Sequence, residues 1–136
     1  MLCLGLVFVK VCFIIKNIIK TEAIIKLNDS NVITAKAYRY LCEHFYDVTS
    51  GLYRRFSLSN KLSLVKFDLY DNSEMLSVMN LMGDLSRLNN LDTAIKRHFT
   101  KGNDIYSSID FLGIKRNKNT LRWAVMPYLY ALSTLG

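Results

Sequence analysis

The chain has 136 residues, of which 51% are hydrophobic and 21% are charged, and its formal net charge is +7. This length provides for one domain with one core, and this composition excludes an intrinsically disordered chain. One proline and six glycines are few chain breakers, which favours long helices over many short strands. We therefore expect residues 1–136 to form a single all-α domain. The positive charge suits an acidic protein, a nucleic acid or an anionic membrane as partner.

The first segment, Met1 to Ile19, is strongly apolar. A signal peptide or a membrane span would be interrupted by Lys10, and no small-residue cleavage site follows. On a helical wheel Lys10, Asn17 and Lys20 share one narrow face, and most of the remaining surface is apolar. This pattern predicts a core helix over residues 6–20, and a membrane or signal role is the alternative.

A second helix is predicted from about Val32 to Arg55, after a cluster of turn and cap residues over 28–31. Its apolar residues recur at steps of three and four and fall in an arc of roughly 80° at 100° per residue. They are Tyr38, Leu41, Phe45, Val48 and Leu52. Gly51 weakens the helix near its predicted end.

The rest of the chain also indicates mainly helices, with one ambiguous segment at Leu62–Tyr70 that fits a strand or a short helix. Four helices are predicted, with a basic loop before the last one. They span about Glu74 to Met82, ending at Gly83; Leu85 to Thr100, capped by Asp84; Ile105 to Ile114; and, after the loop Lys115–Asn119, Thr120 to Leu135 with a bend at Pro127.

The sequence has no pattern that carries catalysis or binds a metal. Cys42 and His44 are two residues apart and diverge by about 200° on a helix, so they cannot act as a nucleophile and its base. The three cysteines form no paired motif, which argues against a disulfide framework or a zinc site and favours a reducing compartment. We expect no enzyme activity, no catalytic residue, no metal and no cofactor.

The segment Tyr38–Phe45 resembles the third homology motif of the Bcl-2 family, in which hydrophobic positions surround a small residue and an acid. The family prefers glycine or alanine and then aspartate where this chain has Cys42 and Glu43. About forty residues farther along, Asp84-Leu85-Ser86-Arg87 stands where the family has an Asn-Trp-Gly-Arg-like motif. The matched motif positions are Tyr38, Leu41, Cys42, Glu43, Ser86 and Arg87.

The resemblance implies a compact Bcl-2-like helical bundle with a central buried helix, and divergence of this degree is typical of a viral homologue. It implies an inhibitor of apoptosis that captures the amphipathic death-motif helix of pro-apoptotic proteins of the Bim, Bak and Bax type. The candidate groove residues are Phe45, Thr49, Tyr53, Phe56, Met75, Met79 and Arg87. Arg87 would pair with an aspartate of the bound helix. The helical pattern alone cannot separate these groove positions from ordinary core positions.

The same resemblance implies a location in the host cytoplasm or at the mitochondrial surface, without a C-terminal membrane anchor, and it leaves homodimer formation open. One alternative function is nucleic-acid binding by a helix-turn-helix-like segment over 105–125, which carries Lys115, Arg116, Lys118 and Arg122. The turn in that segment is too long to seat a recognition helix, so a solvated basic loop is favoured. The other alternative is peripheral membrane attachment through the apolar N-terminus and the basic surface.

Overall fold

The computed structural model of the protein describes residues 28–59 and 63–135, so the helix predicted over 6–20 lies outside the described residues. The helices are α1 (Asn28–His44), α2 (Leu69–Met82), α3 (Leu85–Phe99) and α4 (Met126–Ser133), and a π-helical turn at Leu121–Val125 precedes α4. The strands are β1 (Tyr46–Asp47), β2 (Leu52–Tyr53), β3 (Val65–Asp68), β4 (Thr100–Lys101), β5 (Asp104–Asp110) and β6 (Lys115–Lys118).

The prediction of an all-α, Bcl-2-like bundle is wrong. The described residues form four helices and six strands in two sheets. The scarcity of glycine and proline misled the prediction, because the strands are short and their turns use Asp and Asn as well as glycine. The fold is therefore a mixed one, in which helices pack against a small antiparallel sheet.

The helix predicted over 32–55 ends at His44, and the chain then forms the hairpin β1–β2. The Asp47 carboxylate accepts hydrogen bonds from the backbone N–H groups of Thr49 and Ser50, which fixes the turn. Gly51 completes it with a positive φ of 74°. The apolar residue Val48 continued the helical pattern in the sequence, but its side chain is 83% exposed at the tip of this turn.

Helix α2 is the buried helix of the fold, with both polar and apolar side chains inside. The Asp68 side chain caps its N-terminus by accepting a hydrogen bond from Tyr70 N–H at 2.9 Å. Gly83 ends it in the left-handed conformation with φ 71°. The resemblance placed the central buried helix one element later, at α3, whose outer face is exposed.

The main sheet is antiparallel, with β5 between β3 and β6 and a short pairing of β4 with β5. The short helix predicted over 105–114 is wrong, since this segment is strand β5 and its turn. The predicted basic loop over 115–119 is mostly strand β6. The helix-turn-helix-like segment predicted over 105–125 is therefore a β-hairpin followed by the π-helical turn.

The final predicted helix, Thr120 to Leu135, is divided into the π-helical turn and α4, with Pro127 in the first turn of α4. Two hydrogen bonds hold this end of the chain against the core. The Tyr128 hydroxyl donates to Asp92 Oδ1 of α3 at 2.9 Å, and Asn80 Nδ2 of α2 donates to the Thr134 carbonyl at 2.7 Å.

Candidate nucleic-acid interface

Most residues predicted to line a helix-binding groove belong to the hydrophobic core. Phe45, Tyr53, Met75 and Met79 are each no more than 1% exposed and belong to one buried cluster. Tyr53 and Met79 also line the wall of a small cavity beside Arg87. The ordinary core interpretation, which the sequence pattern could not separate from a groove, therefore holds for these four side chains.

The other predicted positions are spread over the surface and the core. Tyr38 and Leu41 are buried in the face of α1 that packs inward, and Cys42 is half-buried. Glu43, Thr49, Ser86 and Arg87 are exposed, and Phe56 is half-buried in the segment after β2. Arg87 lines two cavities, and it shares one of them with Tyr53 and Met79.

Arg87 lies in a cleft between α1 and the start of α3. Its Nη1 atom is 3.5 Å from Cys42 Sγ and 3.4 Å from Asp84 Oδ2, and Asp84 Oδ2 also accepts a hydrogen bond from the Tyr38 hydroxyl at 2.8 Å. Burial, reinforced by the hydrogen bond to Asp84, raises the pKa of Tyr38, so this phenol stays neutral. The cluster fixes α1 against the junction between α2 and α3.

The outer face of α3 is a polar surface that carries uncharged hydrogen-bonding side chains and cations. Leu88, Leu91, Ile95 and Phe99 face the core. The opposite arc of roughly 120°, at 100° per residue, presents short hydrogen-bonding side chains and cations. This face consists of Ser86, Asn89, Asn90, Thr93, Lys96 and Arg97, all exposed, and Arg87 lies at its edge. The carboxylate of Asp92 is turned aside, toward Tyr128 and Lys96.

The link between α2 and α3 explains why this face is presented rigidly. Gly83 and Asp84 are the two residues between the helices, and the Asp84 side chain caps α3 by accepting from Arg87 N–H at 3.2 Å. The sequence predicted both the Gly83 terminus and the Asp84 cap, and the structure confirms them. The two helices are therefore joined by a tight two-residue turn that fixes the start of α3.

The β5–β6 hairpin adjoins the C-terminal end of α3. Lys115, directly after its turn, donates a hydrogen bond to the Thr100 carbonyl at 2.7 Å, and its ammonium lies 5.8 Å from the centre of the Tyr106 ring. Strand β6 adds two more cations: Arg116 is 3.0 Å from Asp110, and Lys118 is 2.9 Å from Asp104. The hydrogen bond from Lys118 lowers the pKa of Asp104, so this carboxylate is charged at neutral pH.

Apart from residues 1–27, which contain four Lys and one Glu, positive charge is concentrated in residues 85–122. Residues 85–122 contain eight Lys and Arg and three Asp, whereas residues 28–84 contain six Lys and Arg and seven Asp and Glu. No ion pair joins Arg97 or Lys101 to an acidic residue within the part of the chain that the structure describes. These two cations extend the basic surface from α3 to the β4–β5 turn.

The sequence interpretation missed this face of α3, although it placed the helix. The sequence also predicts an apolar stripe on this helix, of which Leu85 is exposed and the other four members are buried, namely Leu88, Leu91, Ile95 and Phe99. The available signal was the composition of the opposite face, with Asn, Ser, Thr, Lys and Arg and a single acid in the helix.

Within residues 28–59 and 63–135 no group of His, Cys, Asp and Glu side chains is arranged to hold a metal ion. No helix among these residues has the length and apolar character to cross a membrane. Comparisons with protein-family models, with curated proteins and with solved structures find no match to this chain.

Proposed function

We propose that the protein binds duplex nucleic acid through the outer face of α3, strand β4 and the adjoining β5–β6 hairpin, hereafter the basic face. The observation that carries this proposal is the concentration of cations in residues 85–122, set against an acidic excess of one in residues 28–84. Phosphate neutralisation by Lys and Arg supplies most of non-specific affinity for DNA. A surface of this charge attracts the phosphate backbone before any base is contacted.

The side chains of α3 suit contacts to base edges as well as to phosphates. Asparagine forms paired hydrogen bonds with adenine, arginine does so with guanine, and serine and threonine contact several bases. Asn89, Asn90 and Thr93 project from one side of the helix, with Lys96 and Arg97 one turn farther along. An α-helix carrying these groups fits the major groove of B-DNA, which is about 12 Å wide.

The hairpin provides a second element beside the helix. The ion pairs of Arg116 and Lys118 are on the surface, with cation side chains 57% and 58% exposed. Exposed ion pairs contribute little to stability, so these cations can exchange a carboxylate partner for a phosphate. Helix α3 would thus occupy a groove while strand β6 contacts the flanking backbone.

Fluorescence anisotropy with a labelled duplex of about 30 base pairs tests the proposal, since this length exceeds the 10-base-pair helical repeat several times. The informative variant is Arg97→Ser/Lys101→Ser, and the matched control is Lys36→Ser/Arg39→Ser on α1, which removes the same charge from another exposed surface. The first variant should weaken binding and reduce the slope of log affinity against log salt by about two, roughly one per lost phosphate contact. Equal effects of both variants, or no binding by the wild type at low salt, would contradict the proposal.

A second candidate function is capture of an amphipathic pro-apoptotic helix in the cleft between α1 and α3. It is supported by the position of Arg87, which lines a cleft of about 380 Å³ together with Tyr38, Cys42 and Met82. This candidate ranks second, because the apolar anchors implied by the resemblance are almost fully buried. Two of them, Tyr53 and Met79, reach the wall of a second cavity beside Arg87. Calorimetric titration with pro-apoptotic peptides, using wild type and Arg87→Ala, tests it. Micromolar binding that Arg87→Ala weakens supports this candidate, and no binding of any peptide rejects it.

A further inference from the structure

The turn of the β5–β6 hairpin exposes an apolar tip. Phe111 is 58% exposed and Leu112 is 67% exposed, and Ile114 beside them is also exposed. Leu64 lies next to this tip, since its carbonyl accepts a hydrogen bond from Phe111 N–H, and its side chain is exposed as well. Large apolar side chains exposed at a turn are in contact with water unless a partner covers them.

The tip is held rigidly from behind by Asp110. One carboxylate oxygen, Oδ1, accepts hydrogen bonds from the backbone N–H groups of Leu112 and Ile114, at 3.0 and 2.8 Å. The other, Oδ2, accepts two hydrogen bonds from the Arg116 guanidinium. Gly113 supplies the positive φ of 81° that the turn needs. A turn that is ordered before binding loses little conformational entropy when it inserts into a partner.

We propose that this tip is an apolar wedge that enters the minor groove of duplex DNA. There Phe111 and Leu112 insert between two stacked base pairs, unstack them and bend the duplex. The inference rests on the proposed function, because the basic face must first hold the DNA. Proteins that bend DNA commonly insert Phe, Leu or Ile between base steps, which unstacks them and kinks the duplex by about 20–90°. Two-stranded β-ribbons are among the elements that reach into DNA grooves.

The surroundings of the tip favour DNA over a lipid surface as its partner. Arg116, Asn117 and Lys118 follow the tip along β6, so hydrogen-bonding groups and cations stand directly behind the apolar residues. Lys115, directly after the tip, connects this end of the hairpin to Thr100 at the end of α3, the helix that carries the asparagine and threonine side chains of the basic face. A lipid surface would use the cations but has no base edges for those uncharged polar groups to contact.

End-to-end fluorescence energy transfer in a doubly labelled duplex of about 30 base pairs, much shorter than the persistence length of about 150, measures the bend. Wild-type protein should bring the two ends closer, and Phe111→Ser/Leu112→Ser should abolish this change. Anisotropy in the same samples measures binding. The affinity of the double variant should fall by less than about tenfold, because the unstacking that insertion requires offsets much of the gain from apolar contact. The matched control Leu129→Ser removes another exposed apolar side chain, 50% exposed on α4, and should leave bending and binding unchanged.

Binding without any change in energy transfer would overturn the wedge and leave the proposed function standing. Absence of binding to any duplex would overturn both. Co-sedimentation with vesicles of phosphatidylserine and phosphatidylcholine, and sedimentation velocity of the protein alone, examine other occupants of the tip. If the double variant lost vesicle binding or self-association but kept the wild-type bend, a membrane or a second copy would be the partner and the wedge would be rejected. Circular dichroism of each variant verifies that it is folded.

Discussion

Asn72 connects the buried helix α2 to two other parts of the fold. Its amide accepts a hydrogen bond from Tyr53 N–H at 2.8 Å and donates to the Tyr53 and Asp68 carbonyls at 3.0 and 2.8 Å. Truncation to alanine leaves these backbone groups without their partner, and each unsatisfied buried group costs about 1–3 kcal/mol. We expect Asn72→Ala to lower the free energy of unfolding by about 2–4 kcal/mol, as measured by urea denaturation.

Asn80→Ala is the matched control for this prediction, since the Asn80 amide makes one exposed hydrogen bond, to the Thr134 carbonyl. Its expected effect is below about 1 kcal/mol. Similar losses in the two variants would show that the buried position of Asn72 has no special importance.

Asp71 is a buried carboxylate with one oxygen, Oδ2, that has no hydrogen-bond partner. Burial, with the neighbouring Asp68 carboxylate adding to it, raises the pKa of Asp71 well above its usual value. When the folded-state pKa of an acid exceeds its unfolded-state pKa, the unfolded chain loses the proton first as pH rises. As the pH rises above 3.8, Asp71 ionises in the unfolded chain but stays protonated in the folded protein, so the free energy of unfolding falls. This fall ends when the pH passes the folded-state pKa.

We expect Asp71→Asn to become more stable relative to wild type as the pH is raised from 5 to 8, by about 1–3 kcal/mol at the upper end. Parallel urea denaturation of both proteins across this pH range measures the difference in the free energy of unfolding. The pH-dependent contributions of the acidic groups common to both proteins largely cancel in this difference. A difference that does not vary with pH would contradict the assignment of the raised pKa to Asp71.

At the scale of elements, the junction between α2 and α3 depends on the conformation of Gly83. Its φ is 71°, and a Cβ atom added there would meet no atom within 4 Å. A substitution is therefore opposed by backbone conformation alone, at about 1–2 kcal/mol for alanine in the left-handed region. We expect Gly83→Ala to lower the free energy of unfolding by that amount, while Gly83→Asn, which tolerates this region, retains more of it. Thermal denaturation compares the two variants, and equal losses would contradict this explanation.

The elements that the sequence predicted correctly are those with local signals. Asp84 and Gly83 mark helix ends by their own chemistry, and the apolar period of α3 extends over four turns. The segment at β5 has no comparable local signal. Its partner β3 lies about forty residues earlier in the chain, where Val65 pairs with Asp110, so its strand character comes from non-local hydrogen bonding. The hairpin β1–β2 was missed because Val48 happened to continue the helical period.

At the scale of the whole molecule, the division of charge predicts a strong dependence of nucleic-acid binding on salt. Each phosphate neutralised on B-DNA contributes about −0.9 to the slope of log affinity against log salt concentration. The cations of the basic face are Arg87, Lys96, Arg97, Lys101, Lys115, Arg116 and Lys118. If about four to six of them contact phosphates, the slope lies between about −4 and −5. Anisotropy titrations from 50 to 300 mM salt measure it, and a slope near zero would rule out a phosphate-dominated interface.

By itself the sequence determined the total charge, the Gly83 end of α2, the Asp84 cap of α3, and most inward residues of α1 and α3. These features depend on a few neighbouring residues, so local chemistry specifies them. Only the tertiary structure decided that Phe45, Tyr53, Met75 and Met79 are core and that α2 is the buried helix. It also decided that β5 and β6 form a hairpin against the end of α3, because burial and strand pairing join residues far apart in the chain.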